Sequence, residues 1–189
     1  MSKRRGFTII EVVLVLAIGG LIFLMVFIAL PSLQRSQRNS QRRRDVDRVH
    51  AAIIDYQKHN KGKLPFSGTK TAVGVFDKNF ASRYIDSSCE FSRQHTGAAN
   101  YGYYTFVNCG EQFTAPDGEP YEIAQLRSDS STANFDQFMA NTGNYHVIFV
   151  ANRTKCSELE GGRTSTGKAN DFIVASALEG GSMYCRDNS

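Results

Sequence analysis

The most reactive side chains in this 189-residue sequence belong to four cysteines and four histidines. Cys89, Cys109, Cys156 and Cys185 stand with 19, 46 and 28 residues between neighbours, so there is no C-x-x-C pair to build a zinc knuckle or a dithiol redox centre. An even number of cysteines in a chain with an apolar export segment fits two disulfides made outside the cytoplasm, with free buried thiols as the alternative. Four cysteines allow three connectivities. Cys89–Cys109 with Cys156–Cys185 is preferred because it closes the smaller loops, and because Cys156 follows one predicted strand while Cys185 lies on another. By loop entropy each bridge contributes roughly 3–4 kcal/mol. His50, His59, His95 and His146 form no H-E-x-x-H pattern, and His50 and His59 fall about 180° apart on one helix, so they share no metal. Neither a G-x-S-x-G elbow, a P-loop nor a G-x-G-x-x-G turn is present. No catalytic residue, metal ligand or cofactor is nominated, and the expectation is a protein that is not an enzyme.

Glu11 is the acidic residue in the least ordinary place. It directly precedes Val12–Leu30, 19 consecutive positions without a charged or strongly polar side chain. As a helix that run is roughly 28 Å long, against ~30 Å of bilayer hydrocarbon. A carboxylate held at bilayer depth costs on the order of 2.5–3.5 kcal/mol and needs a partner. A cleavable secretory signal would have a shorter apolar region, about 7–15 residues, and a small-x-small ending. This run ends instead in Ala29-Leu30-Pro31-Ser32. Lys3, Arg4 and Arg5 precede the span, but Arg35, Arg38, Arg42, Arg43, Arg44 and Arg48 follow it, so charge counting alone favours the opposite orientation. Residues 1–48 carry nine Lys/Arg against three acids, whereas the other 141 carry 13 against 15. The basicity therefore belongs to one end, which argues against a nucleic-acid-binding surface spread over the whole fold.

The junction Gly6-Phe7-Thr8-Ile9-Ile10-Glu11, after a basic leader and before the apolar run, resembles the signal of type IV prepilins and pseudopilins. The resemblance implies a cytoplasmic leader, a cut between Gly6 and Phe7 by prepilin peptidase, N-methylation of Phe7, and a Glu11 that pairs with the N-terminal amine of a neighbouring subunit. It also implies the partners: identical or related subunits in a helical homopolymer, an assembly platform with its ATPase, and membrane lipid before assembly. The expected product is a structural subunit of a type IV pilus serving adhesion, motility or DNA uptake. It would be a single-pass membrane precursor first and an extracellular filament later. A secretion-system pseudopilin and a non-assembling anchored binding protein are the alternatives.

The implied fold class is α+β and pilin-like, a long N-terminal helix, transmembrane in its first half, packed on a small antiparallel sheet. The expected divisions are a leader at 1–6, a transmembrane and assembly helix at 7–31, its amphipathic continuation at 32–61 and a β-rich head at 62–189. Gly19-Gly20 and Pro31 weaken the helix, and Pro31 is expected to bend it. Val46, Val49, Ile53 and Tyr56 fall within about 80° of one another, a stripe suited to a core. Arg35, Arg38 and Arg42 share that sector, so the head is expected to cover the helix only from about Val46 onward. The arginines below that point are candidates for lipid headgroups, neighbouring subunits or DNA. Gly62 and Pro65 end the helix.

In the head, 101–108, 145–152, 171–178 and 182–186 read as strands, with Glu179-Gly180-Gly181 turning between the last two. Ser131–Ala140, with Phe135, Phe138 and Met139, reads as a short helix. Ala115–Tyr121 resembles the D-P-x-G-x-P-Y segment of some major pseudopilins, near which a loop binds calcium. Ala115 replaces the leading Asp, so a plain turn is expected and no metal is assigned.

Overall fold

A computed structural model describes residues 6–66, 76–94, 103–126, 145–156, 163–164 and 167–188. The leader residues Lys3, Arg4 and Arg5, the expected helix at 131–140 and His95 lie outside the described residues. The chain divides into two compact units, Met1–Gln37 and Arg38–Ser189, and helix α1, Ile9–His59, crosses the division.

α1 begins at a one-sided cap, in which Thr8 is the donor and Glu11 the acceptor. The Thr8 amide and hydroxyl both donate to Glu11 Oε2, each at 2.8 Å, satisfying a donor the helix itself cannot reach. The helix then runs without interruption through Gly19, Gly20 and Pro31, so none of the three stops it. Pro31 removes one N–H from the ladder, while the apolar residues on either side keep helical geometry. The far end closes in the left-handed region, with φ of 56° at Lys61 and 77° at Gly62, and the Gly62 amide donates to the Gln57 carbonyl at 2.8 Å. Pro65 then follows, where no further helical bond is required.

The second unit is built on a six-stranded sheet, in the spatial order β1 (Glu90–Gln94), β2 (Tyr103–Asn108), β3 (Glu122–Leu126), β4 (Val147–Asn152), β7 (Phe172–Leu178) and β8 (Ser182–Asp187). The two-residue strands β5 (Lys155–Cys156) and β6 (Arg163–Thr164) pair separately. The fold class is α+β, as expected, but the sheet is mixed rather than purely antiparallel. β3 and β4 pair parallel, Glu122 opposite Val147 and Gln125 opposite Val150. A parallel pair needs a crossover of a dozen residues or more, and residues 127–146 are long enough to supply it.

β4 and β7 are buried along their whole length. Their even-numbered residues Ile148, Val150, Phe172 and Val174 join Val46, Val49, Ile53 and Tyr56 of α1 in one core. Their odd-numbered residues Val147, Phe149, Ala151, Ile173, Ala175 and Ala177 form a second cluster with Ala124. Burial of each large side chain contributes about 1.5–3 kcal/mol, so the α1 stripe anchors the helix to the sheet. Cys89 and Cys109 are joined by one disulfide and Cys156 and Cys185 by another. The first fastens the turn before β1 to the end of β2, and the second fastens β5 to β8. Between Phe80 and β1 lies a π-helical turn, Ala81–Ile85, closed by the Asp86 amide on the Ala81 carbonyl at 3.0 Å.

Candidate functional site

The first unit offers one chemically distinctive place, its N-terminal turn. Phe7 is 89 % exposed, and Gly6 precedes it with open space around its backbone. Glu11 lies one helical turn beyond Phe7. Its Oε2 is occupied by Thr8, and among the described groups Oε1 has no donor. Beyond Glu11 the large apolar side chains from Val12 to Leu33 are exposed on all sides of the helix. An amphipathic core helix would hide one stripe. A helix apolar all round is stable in lipid or among other helices, and the segment is long enough and apolar enough to cross a membrane. The N-terminal turn thus places a peptide junction, an aromatic residue and a half-used carboxylate at the head of a surface that only lipid or protein can cover.

Residues 1–27 match the family description "prokaryotic N-terminal methylation motif". This motif is the signal of type IV pilins and pseudopilins, and it implies processing by prepilin peptidase and assembly with other pilins. No curated protein and no solved structure gives a significant match to the chain. The motif together with one long helix and a mixed, mostly antiparallel sheet fits the pilin-like arrangement. It also fits a membrane-anchored precursor.

Downstream of the motif the arginine-rich stretch of α1 turns out to be largely consumed by the head. Arg42 is 1 % exposed, and its Nη1 meets Glu179 Oε1 at 2.8 Å and its Nη2 meets Asp117 Oδ2 at 3.4 Å. Its Nε donates to the Tyr145 carbonyl at 3.3 Å, and its guanidinium lies 4.8 Å from the centroid of the Tyr145 ring. Arg38 grips the same glutamate with both arms, Nε to Oε1 and Nη2 to Oε2, each at 2.7 Å. Asn39 completes the clasp. Its Nδ2 donates to the Glu179 carbonyl at 3.1 Å, and the Glu179 amide donates back to Asn39 Oδ1 at 2.9 Å. Glu179 sits in the β7–β8 turn, whose sharpness is met by Gly180 and Gly181 at φ of 109° and 81°. Hydrogen bonds from Arg38 first, and then from Arg42, outweigh burial and hold the Glu179 carboxyl down to about 2.

The expectation that the head begins to cover α1 near Val46 is therefore corrected. Coverage begins at Arg38, because an arginine on the core-facing sector is buried once an acid and a carbonyl await it. Further along, Arg48 donates to the Ile85 carbonyl at 2.7 Å, pairs with Asp86 at 3.1 Å and lies over the Phe113 ring at 4.9 Å. Arg43 lies over Tyr184 at 5.1 Å. Arg35, Arg43, Arg44 and Arg48 are exposed, so of the six arginines Arg42 alone is fully withdrawn from lipid, neighbouring subunits or DNA, although Arg38, Arg43 and Arg48 are engaged by the head.

Polar groups on α1 fix its rotation against the sheet. Tyr121 donates to Asp45 at 3.0 Å, Tyr184 to Asp47 at 3.1 Å, and His50 Nε2 lies 3.0 Å from the Asp187 carbonyl. Burial raises the Asp45 carboxyl against the pull of Tyr121 and nearby arginines, and burial lowers His50. The segment 115–121 is a turn. The Gly118 amide donates to the Ala115 carbonyl at 2.9 Å, Gly118 takes φ of 91°, and Ala115 is buried. Its Asp117 faces Arg42, and among the described residues no cluster of three acids, histidines or cysteines is placed to hold a cation.

Sequence reasoning missed two parts of this arrangement. The Thr8–Glu11 cap was visible as a T-x-x-E pattern ahead of an apolar run. The Glu179 clasp had no local signal, because its partners lie about 140 residues apart in the chain.

Proposed function

We propose that the chain is a structural subunit of an extracellular type IV filament, made as a membrane precursor and cut between Gly6 and Phe7. Its new N-terminal amine, methylated on Phe7, pairs with Glu11 of an adjacent copy. The observation that carries this reading is the methylation motif at residues 1–27, continuous with a helix whose large apolar side chains from Val12 to Leu33 are exposed all round. Two consequences of the geometry support it. Removing residues 1–6 places an amine at the start of α1, one turn from the Glu11 carboxylate. The N-terminal cap leaves Oε1 available to that amine or to another copy's. A carboxylate buried among packed apolar helices is tolerable only when paired, so pairing fixes how far each subunit slides past the next.

The head then forms the surface of the filament, its disulfides formed after export, and the roles in adhesion, motility or DNA uptake belong to that surface. Mass spectrometry of the chain from membranes and from sheared surface material tests the processing step. The mature form is expected to begin at Phe7 and to carry one extra methyl group on that residue. A mature chain that keeps residues 1–6, or that starts at any other position, would refute the proposed cut.

A further inference from the structure

At the end of α1 the head carries a pocket of about 300 Å³, the lower end of the range for small-molecule sites. Tyr56, His59 and Asn60 line it from the helix, and Asn79, Arg83 and Tyr84 from the segment facing it. The floor is aromatic. Phe80 stacks on Tyr84 with centroids 5.9 Å apart, and Tyr56 meets Tyr84 edge-on at 5.4 Å, so the Tyr84 ring is held in place. Arg83 and Tyr84 lie in the π-helical turn Ala81–Ile85, an irregularity that is frequent at functional sites.

The polar groups around this floor divide into spent and unspent. The Asp77 carboxylate is tied into the wall, since Oδ2 accepts the Tyr56 hydroxyl at 2.7 Å and Oδ1 accepts the Asn79 backbone amide at 2.9 Å. Burial first, and then the bond to Asp77, push the Tyr56 hydroxyl up to about 12, so it stays a donor committed to Asp77. His59 Nδ1 faces the Asp55 carbonyl at 2.9 Å and must donate to it, so the neutral tautomer compatible with that bond presents Nε2 as an acceptor. Asn60 Nδ2 donates to the Tyr56 carbonyl at 2.9 Å, which leaves its Oδ1 as a second acceptor. Arg83 is exposed and makes no ion pair among the described residues. A flat aromatic ring, two acceptors, the Asn79 side-chain amide and an unpaired guanidinium together suit a molecule with a ring face, several hydroxyls and one negative charge.

We infer that this pocket binds an acidic saccharide, with a pyranose ring against Tyr84, its hydroxyls on His59 and Asn60, and its carboxylate on Arg83. The guanidinium matches a carboxylate with two parallel N–H donors, which neutral sugars cannot use. The inference concerns the head alone and stands whether or not the chain polymerises.

Isothermal titration calorimetry on the full-length processed chain in detergent micelles at low salt tests it, with D-glucuronate, D-glucose and acetate as probes. Glucuronate is expected to bind with a dissociation constant on the order of 1 mM, the strength usual for a ligand of about a dozen heavy atoms. Glucose lacks the charge and acetate lacks the ring, so each should bind at least about tenfold more weakly. Arg83→Gln should weaken glucuronate by about tenfold or more, and Arg44→Gln, an exposed arginine that does not line the pocket, should leave it unchanged. Three results would overturn the inference: no saturable glucuronate binding, acetate binding as well as glucuronate, or an Arg83→Gln protein that binds like the parent.

Discussion

Replacing Glu11 by glutamine is expected to yield a chain that is processed and folded but that forms few filaments. The structure explains why glutamine is the informative change. Glu11 caps α1 through Oε2, and on the proposed function it offers Oε1 to a partner. Glutamine keeps an oxygen for the Thr8 amide and hydroxyl, so the first turn survives, while the charge that would meet an amine is gone. A hydrogen bond to a charged group is worth about 1.5–3 kcal/mol, or roughly 10- to 150-fold in the equilibrium for each added subunit. Glu11→Ala should assemble as poorly and should also lose the cap, at about 0.5–2 kcal/mol of helix stability. Quantifying sheared filaments against the processed chain left in the membrane reads the effect directly. A Glu11→Gln chain that gives filaments at the parental yield would remove the pairing role and leave Glu11 as a cap alone.

Glu179→Ala is expected to be the most destabilising single substitution on the surface of the head that faces α1. It takes the acceptor from Arg38 and from the buried Arg42 together, leaving Arg42 with Asp117 at 3.4 Å and the Tyr145 carbonyl at 3.3 Å. Stranding a buried charge typically costs 3–5 kcal/mol, which in a chain of this size lowers the melting temperature by roughly 6–20 °C. The remaining Asp117 contact places the expectation toward the lower end. The pH dependence gives an independent sign. The carboxyl of Glu179 is held down to about 2 by Arg38 and Arg42, below its ordinary value of 4.5. Its contribution is therefore complete above about pH 4.5 and is lost as the pH falls from there through about 2. The parent should lose stability across that window more steeply than Glu179→Ala, so their melting curves should converge in acid. Circular dichroism melts at several pH values decide the matter. A drop of less than about 2 °C, or curves that stay parallel into acid, would mean that the clasp is not what secures the β7–β8 turn.

How much of this was legible in the chain differs from element to element. The N-terminal device was legible because it is local. Gly6, Phe7 and Glu11 stand within six positions, and the apolar run follows at once. The stripe Val46, Val49, Ile53 and Tyr56 was legible from its period. That same period placed Arg38 and Arg42 on the core side, yet their charge argued for solvent, and only the distant Glu179 resolves the conflict. β3, Glu122–Leu126, was missed because glutamate, alanine, glutamine and leucine favour helix. Its strand conformation is imposed by pairing with β2 on one side and β4 on the other. β1, Glu90–Gln94, is polar and sits at the sheet edge, where the alternation that marks a half-buried strand is weak. The parallel β3–β4 pair was out of reach for the same reason, since strand direction is a property of the crossover and not of either strand.

The pocket at the end of α1 was equally hidden. Tyr56 read as a core residue and His59 as one of four scattered histidines. Their meeting with Tyr84 and Arg83 depends on the π-helical turn, for which no simple sequence signature exists.

The central claim is assembly through the N-terminal helix, and the structure of filaments sheared from cells that express this chain tests it most directly. The account predicts filaments whose subunits begin at Phe7, with the amine of each within about 4 Å of a Glu11 carboxylate on an adjacent copy. Surface filaments that lack this chain, or subunits packed with Glu11 away from every Phe7 amine, would contradict it.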